Sequence, residues 1–373
     1  MGHQSVQAGQ VAAAADQAYP WLRRIVEASD DPVYLVGGAV RDLLLGRERG
    51  DVDVVVEGDA AALARRLGGE VVEHERFRTA KAALEGVEVD LASARTESYQ
   101  QPGSLPEVRP AGIEEDLGRR DFTINALALP LRDQRELLDP HGGLADLDAG
   151  LLRVLHQGSF ADDPTRALRA ARYAARFDFG LEPATETLLR DADLETVSKD
   201  RTAAELRRIA AEPEAPQALR LLAEWELLRL EPETLEVAQR LAELLDYPPW
   251  SEVAKKEEAL LALIDGPPAR ARELAAARPR RPSEAVETAR GASPAELALA
   301  RAIGGEWLDS YIGGWRDVEL EISGQDLLEA GVPEGAAIGL GLEQALHRKL
   351  DGEIEGRDEE LRVALEAAQG TSD

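Results

Sequence analysis

Leu35-Val-Gly-Gly-Ala-Val-Arg-Asp-Leu-Leu-Leu-Gly46 and, after three residues, Gly50-Asp-Val-Asp-Val-Val-Val56 decide how the first third of the chain folds. The runs Val33-Tyr-Leu-Val36 and Val52-Asp-Val-Val-Val56 read as strands. Gly37 and Gly38 end the first strand and open a helix, so backbone N–H groups there can approach an anion. A Gly-Gly pair alone is most often a simple turn. Asp51 and Asp53 stand two apart on a β-run, so their side chains leave the same face of the sheet. Neighbouring carboxylates repel each other unless a cation lies between them, and hard oxygen donors suit Mg²⁺. Without the preceding Gly-Gly, Asp-x-Asp would equally describe a solvated strand end.

A third carboxylate is expected on a neighbouring strand. Asp90 in Val87-Glu-Val-Asp90 is the choice, with Glu88, of the same parity, as the alternative. Three carboxylates holding two Mg²⁺ ions would activate a 3′-hydroxyl and stabilise departing pyrophosphate, which is nucleotidyl transfer.

Further β-like runs are Glu70-Val-Val-Glu73, Val87-Glu-Val-Asp-Leu91 and Phe122-Thr-Ile-Asn-Ala126, punctuated by Gly and Pro. Residues 60–67 read as a helix between them. The polar, Gly/Pro-rich segment 94–108 reads as a loop between two active-site strands, of the kind that moves during catalysis. From about Pro164 the apolar period becomes 3.6, as in Arg166-Ala-Leu-Arg-Ala-Ala-Arg-Tyr-Ala-Ala-Arg-Phe177. Asp163 is the expected N-cap, Pro164 the first helical position and Gly180 the stop. Arg166, Arg169, Arg172 and Arg176 fall along one side of that helix, either as a solvated basic face or as phosphate contacts. Breaks at Glu212-Pro213, Pro248-Pro249, Gly266-Pro-Pro268 and Arg278-Pro-Arg-Arg-Pro282 divide the remainder into helical blocks. His74, His141 and His156 lack metal-ligand spacing.

Gly-Gly-x-x-x-Arg-Asp followed by Asp-Val-Asp resembles the head of the class II tRNA nucleotidyltransferase and bacterial poly(A) polymerase family. Three more segments resemble that family's motifs, in its order: Glu115-Asp-Leu-Gly-Arg-Arg-Asp-Phe-Thr-Ile-Asn-Ala126, Asp139-Pro-His-Gly-Gly143 and Asp162-Asp-Pro-Thr-Arg-Ala-Leu-Arg-Ala-Ala-Arg-Tyr173. Together they cover about residues 33–180. The resemblance implies an α+β fold: a polymerase beta-like nucleotidyltransferase head with a mixed β-sheet, then an all-α neck, body and tail. The expected divisions are 1–160, 161–232, 233–315 and 316–373, the last resembling the family's tRNA-holding tail.

The resemblance further implies that Asp51 and Asp53 hold Mg²⁺ with Asp90 as third carboxylate. It implies that Gly37, Gly38, Arg41, Arg120, Asp121 and Asn125 bind the ribose and triphosphate of CTP or ATP. Asp163 and Arg166 would form a protein template for the base. Of the arginines of that helix, Arg166 and Arg169 are the ones expected to contact phosphate, of the nucleotide or of the tRNA end. Asp162 stands where the family usually has Glu, so only a supporting role falls to it. Val56-Glu-Gly-Asp-Ala60, Thr96-Glu-Ser-Tyr and Pro102-Gly-Ser-Leu-Pro-Glu-Val resemble the subgroup that includes A-adding enzymes more than full CCA-adding ones. The expected partner is tRNA, with neither a membrane nor an obligate protein partner. The alternatives are a poly(A) polymerase of the same family and an inactive tRNA-binding homologue.

The 373 residues suggest two to four domains, and 44% hydrophobic with 31% charged residues describes a globular chain. The absence of cysteine excludes disulfides, thiolate metal sites and a Cys nucleophile, and fits a reducing, cytoplasmic setting. No signal peptide is expected from the first twenty residues. A net charge of −28 argues against a polyanionic partner when taken alone. The charge is uneven, however: five Arg face three Asp over 151–180, and six Arg face three Glu over 266–290. Those two segments are the expected sites of RNA contact.

Overall fold

The computed structural model describes residues 10–47, 52–68, 73–74, 79–132 and 135–370. The chain forms two compact units, one of residues 1–206 and 217–229 and the other of residues 207–216 and 230–373.

In chain order the first unit contains helices α1 (Val11–Ala18) and α2 (Leu22–Ala28), strand β1 (Val33–Val36), α3 (Gly38–Leu44), β2 (Val52–Val56) and α4 (Ala60–Arg66). Then come β3 (Glu73–His74), β4 (Thr79–Leu84), β5 (Val87–Ser93), β6 (Arg95–Ser98), β7 (Glu107–Pro110), α5 (Ile113–Gly118) and β8 (Ala128–Pro130). Helix α6 (Gly143–Ala149), β9 (Leu151–Leu152), α7 (Ser159–Asp162), α8 (Thr165–Phe177), β10 (Gly180–Leu181), α9 (Pro183–Leu189) and α10 (Lys199–Ala211), the last with residues 199–206 in this unit, follow.

Among the described residues the main sheet has the order β3-β4-β5-β2-β1-β8. β2 and β5 pair in parallel and their neighbours pair antiparallel, so the sheet is mixed. Alternation decides which side chains share a face. Val52, Val54 and Val56 of β2 join Val89 and Leu91 of β5 in the large core, with α1 to α4. The opposite face carries Val36 and Val55 under Ile113 and Leu117 of α5, with Ala92 packed against them. By the same alternation Asp53 and Asp90 emerge on this more sparsely covered face.

The expected strand at 122–126 is instead a 3₁₀ turn over Thr123–Asn125, and the strand begins at Ala128. The cause is Asp121, whose carboxylate accepts from the Phe122 N–H and the Asn125 side chain and folds the backbone over itself. Gly180 does not stop α8. That helix ends at Phe177 because Asp178 adopts the left-handed conformation, φ 58°, which Asp tolerates better than most residues. Gly180 lies in β10, paired with β9. Of the run 70–73 only Glu73 lies within the described residues, at the start of β3.

Segment 94–108 is not an open loop. Thr96 pairs with Arg109 and Ser98 with Glu107 in an antiparallel hairpin. Its tip is docked: the Gly103 N–H donates to the Ala161 carbonyl at 3.2 Å and the Arg201 guanidinium donates to the Gly103 carbonyl at 3.0 Å. Gly103 has φ +69°, and a Cβ there would stand 2.5 Å from the Thr196 carbonyl oxygen.

The second unit is helical throughout its described residues. α11 (Ala215–Glu224) has its first two residues there; α12 (Pro232–Leu245), α13 (Trp250–Val253), α14 (Lys256–Ile264), α15 (Ala269–Ala276), α16 (Pro282–Ala289) and α17 (Pro294–Ile303) follow. The chain continues through α18 (Leu308–Gly313), α19 (Gly324–Glu329), α20 (Ala336–Leu350) and α21 (Arg357–Gln369). Helix boundaries coincide with the proline breaks: α10 ends two residues before Pro213, and Pro282 is the first residue of α16. No helix among the described residues is long and apolar enough to cross a membrane.

Candidate active site

Asp53 and Asp90 are direct partners in the parallel β2–β5 register. Asp51 lies outside the described residues. Lys81 is the antiparallel partner of Asp90 on β4, with its Nζ 3.6 Å from Asp90 Oδ1 and also paired with Glu88. Glu88 lies two residues before Asp90 and Lys81 reaches both, so it is the register that makes Asp90 the carboxylate beside Asp53. Two hard carboxylate donors at one register position, on the less covered face of the sheet, fit the donor chemistry of Mg²⁺.

The Gly-Gly turn abuts this face. Gly37 has φ 62° and ψ −124°, a combination open to glycine and costly for residues with a Cβ. A Cβ on Gly37 would sit 2.5 Å from Arg120 Nη1, so the missing side chain is what lets the guanidinium lie against the turn. Arg120 is braced by Asp116 at 3.1 Å. Its Nε is buried and has no hydrogen-bond partner among the described residues, an unspent donor of the kind an anionic ligand would satisfy.

Arg41, by contrast, points inward. It is 3% exposed, with its guanidinium donating to Asp42 and to the Asn125 Oδ1 and stacking 4.5 Å over the Phe177 ring. It fixes Asn125 rather than presenting itself to solvent.

Asn125 in turn donates to Asp121 Oδ1 at 2.9 Å, and Arg169 Nε donates to Asp121 Oδ2 at 2.8 Å. Burial pushes the Asp121 carboxyl up. The Arg169 guanidinium, Asn125 and Arg166 outweigh it and hold that carboxyl well below the usual carboxylate range. Arg169 is likewise destabilised by burial but held charged by Asp121, Tyr173 and Glu205. Both oxygens of Asp121 thus accept from side chains of the protein, Oδ1 from Asn125 and Oδ2 from Arg169.

The four arginines along α8 do not form a solvated face. Arg166 and Arg172 are buried, and Arg169 and Arg176 pair with Asp121 and Asp42. Arg166 donates to Ser159 Oγ at 2.6 Å and to the Arg119 carbonyl at 2.8 Å. Asp163 Oδ1 accepts from the Thr165 N–H at 3.0 Å and from its hydroxyl at 2.6 Å, and lies 2.8 Å from Arg201 Nη2. Asp163 therefore satisfies the first N–H of α8, although the helix starts at Thr165 with Pro164 at its N-cap, one residue later than expected. Asp162 lies 3.8 Å from His156, whose imidazole is pushed down by burial and by Arg166.

Several residues of the site were not legible in advance. Asp116 is fully buried and receives both Arg119 and Arg120. Ser159, Arg201 and Glu205 anchor α8 from other segments. Asp116 lies inside the quoted 115–126 segment, and for Arg201 and Glu205 the sequence signal was their spacing of four, which ordinary exposed helices also carry.

The second basic segment is largely engaged within its own unit. Arg278 donates to the Ala275 carbonyl at 2.8 Å, Arg270 to the Thr288 carbonyl, Arg281 lies 3.6 Å from Asp351, and Arg290 pairs with Glu287 and Glu343. Glu287, Glu343 and His347 cluster there, and Arg290 already pairs with both carboxylates.

Residues 33–153 match the model of the poly A polymerase head domain. The A-adding tRNA nucleotidyltransferase of Geobacter sulfurreducens is 33% identical over 410 residues, covering 93% of this chain and 47% of the relative. This chain thus spans about half the length of that relative. The CC-adding tRNA nucleotidyltransferase of Deinococcus radiodurans is 37% identical over 374 residues, covering 94% of each. The Thermotoga maritima CCA-adding enzyme, solved in complex with tRNA, superimposes with a TM-score of 0.76 at 30% identity, covering 98% of this chain and 99% of the other. The α+β architecture and the ordered head motifs agree with these matches, and the chain belongs to the tRNA nucleotidyltransferase family with a poly(A) polymerase-type head.

Proposed function

We propose that this chain adds C and/or A from CTP or ATP to the 3′-hydroxyl of tRNA without a nucleic-acid template. The single observation that carries this reading is the register of Asp53 against Asp90, beside the Gly37 turn and the inward-facing arginines of α8. The oxygen of the tRNA 3′-hydroxyl forms a bond to the α-phosphorus. The bond from that phosphorus to the β-phosphate oxygen breaks, pyrophosphate leaves, and the hydroxyl proton is released.

Asp53 and Asp90, with Asp51, would hold Mg²⁺. When bound, the ion lowers the pKa of the attacking hydroxyl and neutralises charge on the departing pyrophosphate. Arg120, with its unspent Nε, supplies positive charge for the triphosphate, and Gly37 and Gly38 let backbone approach it. Arg41, Asn125 and Asp121 form a chain of side chains that sets the position of Arg169.

Asp163 and Arg166 read the base. A carboxylate accepts and a guanidinium donates, together imitating a pairing edge that differs between cytosine and adenine. The described contacts of Asp163 all fall on Oδ1, which turns Oδ2 into the acceptor for the base. Arg166 is anchored by Ser159 and the Arg119 carbonyl, which fixes the direction of its remaining donors.

The test offers tRNA transcripts ending at the discriminator base, after one C and after two C residues, each with CTP, ATP or both. Addition of one to three nucleotides supports the reading and separates full CCA from CC-only and A-only addition. Long adenylate ladders would assign the chain to poly(A) synthesis. No extension of any transcript would sink it.

A further inference from the structure

Helix α10 presents two side chains of opposite charge, one turn apart, to two residues of the nucleotide site. Arg201 Nη2 lies 2.8 Å from Asp163 Oδ1, and its other terminal nitrogen donates to the Gly103 carbonyl at 3.0 Å. Glu205, four residues on, is 5% exposed and sits between two arginines of α8, with Oε1 3.6 Å from Arg169 Nη1 and Oε2 4.0 Å from Arg172 Nε. Residues four apart on a helix share a face, so one rigid element braces both. The two targets differ in kind. Asp163 is an acceptor at the base, whereas Arg169 is a cation held toward Asp121.

We propose that Arg201 and Glu205 are positioning residues that divide nucleotide recognition between them, Arg201 setting base choice and Glu205 setting affinity for the triphosphate. The proposal rests on the reading of Asp163 and Arg169 given above. Arg201 draws Oδ1 of Asp163 to the α10 side and ties it to the hairpin tip. The orientation of Oδ2, and with it the accepted base, depends on that pull. Glu205 holds the outer edge of Arg169 and offsets the repulsion between Arg169 and Arg172. Without it the two guanidinium groups part, and Arg169 no longer lies where Asp121 fixes it. That change acts on the phosphates common to CTP and ATP, so it is blind to the base.

Arg201→Gln and Glu205→Gln keep the side-chain bulk and test the division. Initial rates are measured with CTP and with ATP on tRNA transcripts, with circular dichroism and melting as fold controls. Arg201→Gln is expected to change the ratio of kcat/KM for CTP and ATP by roughly tenfold, the scale of one charge-assisted hydrogen bond. Arg201→Lys restores part of that ratio, because an ammonium can pair with Asp163 but cannot fork to the Gly103 carbonyl. Glu205→Gln is expected to raise KM for both nucleotides by about the same factor, on the order of tenfold, and leave the ratio unchanged.

An equal loss with both nucleotides in both variants, with no rescue by lysine, would overturn the division and reduce both residues to fold supports. If Arg201→Gln fails to fold, Arg201→Lys carries the test, and an unchanged ratio in that variant overturns the proposal. Asp163→Ala is the control for the underlying reading. A changed ratio there with an unchanged one in Arg201→Gln rejects only the proposal, whereas an unchanged ratio in Asp163→Ala rejects the base-reading role and the Arg201 proposal together.

Discussion

Asp53 and Asp90 are register partners on adjacent parallel strands, so two acidic side chains leave neighbouring strands at the same level of the sheet. Nothing in apolar packing favours that arrangement, and Lys81 lies 3.6 Å from Asp90. Asp53→Ala is therefore expected to reduce incorporation of every nucleotide by roughly three orders of magnitude or more. Circular dichroism and the melting temperature serve as fold controls. Undiminished incorporation in a labelled-nucleotide assay would reject the metal-holding role.

Asp163→Ala removes both a helix cap and the acceptor proposed for the base. Loss of the cap is expected to cost about 1 kcal/mol. Discrimination between CTP and ATP should fall more than affinity for tRNA does. Competition between the two nucleotides in one reaction, together with a tRNA binding titration, separates the two effects.

Gly37→Ala and Gly86→Ala form a matched pair. Both glycines have positive φ, but a Cβ on Gly86 meets nothing within 4 Å, whereas one on Gly37 strikes Arg120. Each substitution should destabilise by about 1–2 kcal/mol through backbone strain. Only Gly37→Ala displaces Arg120, so only it should raise KM for the nucleotide. Urea midpoints and initial rates read the two quantities.

Acid sensitivity provides a fourth test. The folded Asp121 carboxyl lies well below its unfolded value of about 3.9. A depressed carboxylate contributes stability that is present above the unfolded pKa and lost as pH falls through the folded one. The wild-type protein should therefore lose stability as pH drops below about 4, and Asp121→Asn should flatten that decline while lowering stability at neutral pH. Urea midpoints measured across this range would show it.

The head was legible because its signals are local. Val52 to Val56 alternates around Asp53, the Gly-Gly turn stands between a strand and a helix, and α8 shows a helical period. The choice of Asp90 over Glu88 needed the partner strand, since both have the same parity and only the register sets Asp90 against Asp53. Residues 122–126 have the composition of a strand, yet the preceding Asp121 captures their donors and turns them. The arginines of α8 were ambiguous for a related reason. Their acidic partners Asp42, Asp121 and Glu205 lie far away in sequence, and without them a solvated face and an ion-paired one look the same.

Gly103 bears on how this protein can be changed. Segment 94–108 has the composition of a stretch where length variation is well tolerated. The docked tip reverses that expectation. One residue added at 103 would separate a backbone donor from the Ala161 carbonyl and a backbone acceptor from Arg201. A side chain there would strike the carbonyl of Thr196. Tags, labels and linkers belong elsewhere on the molecule, and a library that randomises this hairpin should leave its turning point untouched.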